Sequence, residues 1–166
     1  MSYPATTVAT GRTGADSSAR VASPPRLRSA LAVVAAGGAL GALARHGVAT
    51  VSPPPSGGFP WATFAVNVTG CLLVGILTVL FSELAPTRGR LRLFLTVGVL
   101  GGFTTYSTYV LDTYQLFSSG RASLAAAYLL STVVATWCAV AVGAALAGRV
   151  VRARGRSRSP MPGGTR

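Results

Sequence analysis

Hydrophobic residues in this chain are concentrated in four long runs, which are separated by short segments rich in polar residues, proline and glycine. A bilayer core about 30 Å thick is crossed by roughly 20 helical residues, and each run is long enough to cross it. The pattern predicts an all-α membrane protein with four transmembrane helices. Their approximate bounds are 29–51, 61–81, 93–114 and 123–147.

Both ends of the chain are polar and rich in arginine. Residues 1–28 contain mainly Ser, Thr, Ala, Pro and Arg without apolar periodicity, and residues 148–166 form a second basic segment. This composition is typical of disordered segments. The sequence therefore predicts an Arg-rich N-terminal tail (1–28), a four-helix membrane unit (29–147) and an Arg-rich C-terminal tail (148–166), with no room for a separate soluble domain.

Two of the runs carry distinctive residues at four-residue intervals. Gly37 and Gly41 in the first run form a small-residue pair of the kind that allows a second helix to approach closely, although such pairs are also common by chance in Gly/Ala-rich chains. Thr63, Asn67 and Cys71 in the second run share one helix face. Because a polar face inside lipid is expected to point towards protein or water, this face is a candidate functional surface.

The third run is interrupted in its middle by a sequence that forms helices poorly. Residues 98–109 read GVLGGFTTYSTY, in which two adjacent glycines precede β-branched, hydroxyl and aromatic residues. Non-helical backbone at membrane depth must be buried in protein or line a wet cavity, and its free carbonyls are suited to holding a small cation. The pattern predicts a third helix broken near the bilayer midplane. The alternative is an unbroken helix whose hydroxyls bond to its own carbonyls.

Three stretches of the chain resemble the signature segments of the CrcB/Fluc fluoride channels, whose third helix typically carries the motif GGxTTFSTF. They are GGALGALARH (37–46), FPWATFAVNVTGCLLVG (59–75) and LTVGVLGGFTTYSTYVLD (95–112). The resemblance implies a multi-pass protein of the cell membrane that forms antiparallel dimers, with two fluoride pores beside a structural sodium ion that is not transported. It further implies a fluoride-specific ion channel, not an enzyme, that exports fluoride passively and lowers cytoplasmic fluoride.

The resemblance also implies roles for individual residues. The sodium ion is implied to bind backbone carbonyls at the break, at Gly101 and Thr104, and Arg45 is implied to be structural. Thr63, one helical turn before the implied fluoride donor Asn67, extends its face of the pore. The implied fluoride pore combines an amide of the second helix with aromatic and hydroxyl residues of the third and fourth helices: Asn67, Tyr106, Ser107, Thr108, Tyr109, Tyr128, Thr132 and Thr136.

These residue types suit fluoride on physical grounds. The ion is small and strongly hydrated, so a pore must replace its water donors while still allowing release. Amide and hydroxyl groups are neutral donors, and the edge of an aromatic ring is electropositive. The chain departs from the family in one respect, because Tyr106 and Tyr109 stand where two Phe residues are usual. Each added hydroxyl needs a partner.

Charge predicts the orientation of the chain. Fifteen arginines oppose three acidic residues, giving a net charge of +12, and thirteen of those arginines lie in the two tails and the 82–92 loop, on one side of a four-span topology. The positive-inside rule predicts that both termini are cytoplasmic. A fixed orientation suggests a heterodimer with an oppositely oriented homologous subunit. The alternative is a homodimer that inserts both ways, with its tail arginines bound to anionic lipid.

A small four-helix proton-coupled drug or cation exporter is the main alternative function. Such a carrier needs a titratable carboxylate inside the membrane, and the three acids, Asp16, Glu83 and Asp112, all lie away from the middle of a span. An enzyme is disfavoured because His46 is the sole histidine and no nucleophile or metal set accompanies it. No nucleic-acid partner is expected, since the basic segments lack stacking aromatic residues.

Overall fold

The computed structural model describes residues 27–52 and 57–156, and within those ranges it contains helices and turns but no strand. Four stretches are long and apolar enough to cross a membrane: Leu27–Val51, Trp61–Glu83, Gly89–Ser118 and Ala122–Arg154. The predicted all-α fold with four transmembrane helices is confirmed. The helices are α1 (Leu27–Val51), α2 (Trp61–Glu83), α3 (Gly89–Arg92), a π-helical segment (Leu93–Val99), α4 (Leu100–Phe103), α5 (Ser107–Ser118) and α6 (Ala122–Arg156).

The third span is broken near its middle, as predicted. Helix α4 ends at Phe103, Thr104 has extended backbone angles (φ −73°, ψ 155°), and α5 begins at Ser107. The break follows the adjacent glycines of the motif, with Phe103 between them. A π-helical segment, which was not predicted from the sequence, precedes the break, and the amide of Leu100 at its end donates to the carbonyl of Leu95.

Helix α1 packs against the first half of the third span at glycines on both sides. A Cβ atom added to Gly37 would lie 2.5 Å from the carbonyl oxygen of Phe94, and one added to Gly98 would lie 2.9 Å from the Cα atom of Gly37. Gly41 makes a similarly close approach to Val99. The predicted close approach of a helix to Gly37 and Gly41 is confirmed, and the two backbones meet without intervening side chains.

The second interface joins α2 and α6. Gly75 of α2 lies against the backbone of Val140, and Gly143 of α6 lies against the backbone of Leu72. A buried cluster of Tyr109, Leu116, Ala125 and Tyr128 then joins α5 to α6. The broken third span is therefore held between α1 on one side and the α2–α6 pair on the other.

Two predicted boundaries fall inside helices. Helix α1 begins at Leu27 and so includes Arg28, and α6 continues past residue 147 to Arg156. Arginine forms helices well, and cations near a helix C-terminus interact favourably with the helix dipole, so α6 continues beyond its apolar run. Residues 1–26, 53–56 and 157–166, which include the remainder of both predicted tails, lie outside the described residues.

Candidate functional site

The side-chain amide of Asn67 bridges the break in the third span. Its Nδ2 atom donates to the carbonyl oxygen of Thr105 at 2.9 Å, and the backbone N–H of Thr105 donates to its Oδ1 atom at 2.8 Å. Asn67 is only 8% exposed. The amide therefore satisfies both backbone polar groups of a residue that has left the helix, which surrounding lipid cannot do. One N–H of Nδ2 remains for a further acceptor.

The same arrangement releases two backbone carbonyls from helical hydrogen bonding. In a continuous α-helix, the amides of Thr105 and Thr108 would donate to the carbonyls of Gly101 and Thr104. Here the amide of Thr105 donates to Asn67, and the amide of Thr108 donates to the hydroxyl of Thr105 at 3.2 Å. The two carbonyls that the sequence analysis assigned to a cation therefore lack their usual helical partners.

Arg45 of α1 lies beside the break. Its Nε atom donates to the carbonyl oxygen of Gly102 at 3.2 Å. The guanidinium therefore supplies a hydrogen bond to a third backbone carbonyl, near the end of α4. The guanidinium and several hydroxyl groups supply positive charge and donors to one cavity, which suits an anion. This cavity, called here the arginine cavity, has a volume of about 170 Å³ and is lined by Arg45, His46, Ala49, Ala62, Thr63, Val66, Thr105 and Thr108.

A second cavity brings together five of the predicted pore residues. It has a volume of about 260 Å³ and lies between α2, the break and α6. We call it the polar cleft. The five residues are Asn67, Tyr106, Tyr109, Thr132 and Thr136, and the cleft is completed by Cys71, Thr104, Thr105 and Val133.

The two tyrosines have different surroundings. Tyr109 is buried, and its hydroxyl donates to the carbonyl oxygen of Leu129 in α6 at 2.8 Å. Tyr106 is 79% exposed on the single chain. Their ring centroids are 6.0 Å apart, and the ring of Tyr128 lies 5.4 Å beyond Tyr109. The hydroxyl that distinguishes Tyr109 from Phe is therefore hydrogen-bonded within the protein, whereas the ring of Tyr106 projects from the surface.

The hydroxyl groups of Thr132 and Thr136 in α6 are bonded to their own helix. Thr132 donates to the carbonyl oxygen of Tyr128 at 2.7 Å, and Thr136 donates to that of Thr132 at 2.8 Å. An anion in the polar cleft would compete with these carbonyls for the hydroxyl protons. Ser107 is exposed and lines neither cavity, so the structure does not bring it together with the other predicted pore residues.

Asp112 has a role that the sequence analysis missed. Its Oδ2 atom accepts hydrogen bonds from the hydroxyl of Thr63 at 2.7 Å and from that of Tyr128 at 3.4 Å. The carboxylate therefore joins α2, α5 and α6, and Tyr128 is fully buried beside it. The one-turn spacing from Thr108 to Asp112 was a signal for this placement, because it puts the carboxylate on the same face as the hydroxyl.

The chain matches the family model described as "CrcB-like protein, Camphor Resistance (CrcB)" over residues 32–144. It is 43% identical to a Streptomyces coelicolor protein named fluoride-specific ion channel FluC 1, over 86% of this chain and 96% of the relative. It is also similar to two Streptomyces avermitilis proteins that are named fluoride-specific ion channels. FluC 2 is 45% identical over 68% of this chain and 75% of the relative. FluC 3 is 42% identical over 78% of this chain and 63% of the relative. These names describe channels, not enzymes. The chain therefore belongs to the CrcB family.

Proposed function

We propose that this chain is a subunit of a fluoride-specific ion channel that lets fluoride leave the cell passively and so lowers its cytoplasmic concentration. The observation that carries the proposal is the polar cleft, in which the amide of Asn67 meets the rings of Tyr106 and Tyr109 at the break. These neutral groups can replace the water around fluoride without the tight binding of a lysine. The names of the relatives support the choice of ion.

The two cavities supply a route for the anion. Thr105 lines both of them, and its backbone is held by Asn67. Fluoride attracted by Arg45 would meet the hydroxyls of Thr63 and Thr108, pass Thr105, and then reach the aromatic edges of the polar cleft. Since Arg45 already donates to Gly102, its guanidinium attracts the anion while remaining fixed in place.

The break also suits a structural sodium ion. The carbonyls of Gly101 and Thr104 lack their helical partners, and unwound carbonyls are typical sodium ligands in membrane proteins. Gly101 is exposed on the single chain, and a Cβ atom added there would meet nothing within 4 Å. A second subunit can therefore approach this surface and add its own carbonyls. We propose that the ion stabilises an antiparallel dimer and is not transported.

We propose that both termini are cytoplasmic and that the partner is a homologous subunit of opposite orientation. The arginines of the 82–92 loop and of the end of α6 lie at the end of the spans opposite to Arg121. Streptomyces avermitilis has at least two FluC proteins, which supports the coexistence of homologous subunits in one organism.

Fluoride efflux from proteoliposomes, followed with a fluoride-selective electrode, tests these proposals. The chain alone is expected to give little efflux, and the chain reconstituted with a homologue from the same organism is expected to give rapid efflux. Rapid efflux from the chain alone would favour a homodimer, and no efflux under either condition would contradict the channel function. Unchanged efflux after purification in N-methylglucamine instead of sodium would contradict the structural ion.

Tyr106→Phe and Tyr109→Phe are both expected to retain fluoride efflux, because each variant keeps the ring edge. The Tyr109 variant loses its hydrogen bond to Leu129 and should lose about 1 kcal/mol of stability, whereas the exposed Tyr106 should show no change. Thermal unfolding and efflux of each variant check this. Complete loss of efflux in both, with folding intact, would show that the hydroxyls themselves are required.

Asp112→Asn separates the channel from a proton-coupled exporter. The amide oxygen can still accept from Thr63 and Tyr128, so the fold should persist, and removal of a negative charge should leave fluoride efflux within about threefold of wild type or raise it. A coupled exporter would instead lose transport, because it needs a group that binds the proton. Transport that is driven by a pH gradient and abolished by Asp112→Asn would favour the exporter.

A further inference from the structure

Six arginines form a group at one end of the spans. Three lie at the start of the third span and three near the end of α6, and the alternating direction of the four spans brings these two segments to the same end. We call the group the arginine belt: Arg88, Arg90, Arg92, Arg149, Arg152 and Arg154. Glu83 is the only acidic residue at that end within the described residues.

The arginines near the end of α6 are not confined to one face of the helix. At 100° per residue, Arg152 lies about 60° from Arg149 around the axis, and Arg154 lies about 140° from Arg149 in the other direction. A helix that rests flat on a membrane keeps its cations on one face. Cations that are spread over more than half of the circumference instead fit a helix that passes upright through a layer of anions.

The length of this part of α6 matches the phosphate layer of a bilayer. The rise from Arg149 to Arg154 is about 7.5 Å. A bilayer 40–45 Å thick with a hydrocarbon core of about 30 Å leaves roughly 5–8 Å of headgroup on each side. The preceding apolar part of α6 is long enough to cross the core. With that apolar part in the hydrocarbon core, the three arginines fall at the depth of the lipid phosphates.

The three arginines at the start of the third span also favour the binding of anions from outside the chain. Arg88, Arg90 and Arg92 place three cations within five residues, and like charges this close along the chain repel each other. No acidic residue lies in the first turn of the helix that starts at Gly89 to offset these charges. Anions outside the chain relieve this repulsion.

We propose that the arginine belt binds the phosphate groups of anionic phospholipids. A guanidinium matches a phosphate through two parallel hydrogen bonds, and each basic residue near an anionic surface adds favourable energy. Headgroups with a net negative charge gain the most, so the belt selects such lipids over zwitterionic ones. The bound layer holds this end of the chain at the anionic face of the membrane, independently of the ion that the channel conducts.

Lipid retention by the full chain tests the proposal. The protein in mild detergent is incubated with an equimolar mixture of phosphatidylglycerol and phosphatidylcholine, and the retained lipid is measured by native mass spectrometry. Wild type should retain phosphatidylglycerol preferentially, and less so at high salt. Arg149→Gln, Arg152→Gln and Arg154→Gln combined should lower that retention by at least about fivefold, the effect of one such charge. The matched Lys triple variant keeps the charge but loses the paired guanidinium hydrogen bonds, so it should show a salt-dependent preference for phosphatidylglycerol between those of wild type and the Gln variant.

Three results would overturn the proposal. They are equal retention of the two lipids by wild type, wild-type retention by the Gln variant, and displacement of the lipid by millimolar inorganic phosphate, which would assign the belt to the free anion. The thermal transition of each variant is compared with that of wild type. If the Gln variant does not fold, wild type and the Lys variant still test the proposal. Lipid binding by the arginine belt is contradicted if both proteins lack a preference for phosphatidylglycerol or if retention by both is independent of salt.

Discussion

Replacement of Asn67 by alanine is expected to abolish fluoride efflux and to destabilise the protein. The substitution removes the donor for the carbonyl of Thr105 and the acceptor for its amide. Each unsatisfied buried backbone group costs about 1–3 kcal/mol. The loss of both bonds should therefore lower the stability of the broken-helix conformation by about 2–6 kcal/mol. A loss near 3 kcal/mol lowers the population of the conducting form on the order of 100-fold. Efflux from proteoliposomes and thermal unfolding measure the two effects.

A substitution on the same helix provides the control. Thr78 is outside the site, and its hydroxyl bonds to the carbonyl of Val74 in its own helix. Thr78→Ala should therefore leave both efflux and stability close to wild type. Asn67→Asp is informative in addition, because a carboxylate can accept from the amide of Thr105 but cannot donate to its carbonyl. If Asn67→Ala conducted fluoride as Thr78→Ala does, Asn67 would have neither a pore nor a bridging role.

The number and type of the spans could be predicted from the sequence because lipid imposes strict rules. A run of about 20 apolar residues has no other stable conformation in a bilayer than a helix. The break was predictable for the same reason, since two glycines and a series of β-branched residues weaken the helix at one place. The position of Asn67 on a polar face was also visible from spacing alone.

The contacts at the site could not be predicted in the same way. The bonds between Asn67 and Thr105 join residues 38 positions apart, and their existence depends on how α2 and the third span pack. The structural role of Asp112 was missed because only its distance from the middle of the span was considered. Its hydrogen-bond partners, Thr63 and Tyr128, lie on other helices. The π-helical segment, Leu93–Val99, carries no residue pattern that predicts it, and it packs closely against α1.

The continuation of α6 shows a similar limit. The predicted end at residue 147 follows from the loss of hydropathy, which marks where a helix leaves the hydrocarbon core. It does not mark where the helix itself ends, because hydrogen bonding along the backbone continues in the headgroup layer. Arginine supports that continuation, and the arginines of this segment therefore belong to a helix.

Gly41→Ala is expected to lower both stability and fluoride efflux, and it tests how the break is held in place. A Cβ atom at this position would lie 2.7 Å from the backbone nitrogen of Phe103 and even closer to the carbonyl of Val99. Both neighbours are backbone, so neither can move without its helix. Overpacking of this kind costs typically 1–3 kcal/mol, and we expect about 3 kcal/mol here.

The control is Gly47→Ala, on the same helix, where an added Cβ atom would meet nothing within 4 Å. This variant should keep wild-type efflux and gain up to about 1 kcal/mol from helix propensity. Phe103 is the last residue before the break. A shift of α4 away from α1 in Gly41→Ala would therefore also move Thr105 relative to Asn67, whereas Gly47→Ala would cause no such shift. If Gly41→Ala matched Gly47→Ala in melting temperature and efflux, the break would be positioned by α2 alone. A loss of both shows that the glycine contact between α1 and the third span sets the geometry of the polar cleft.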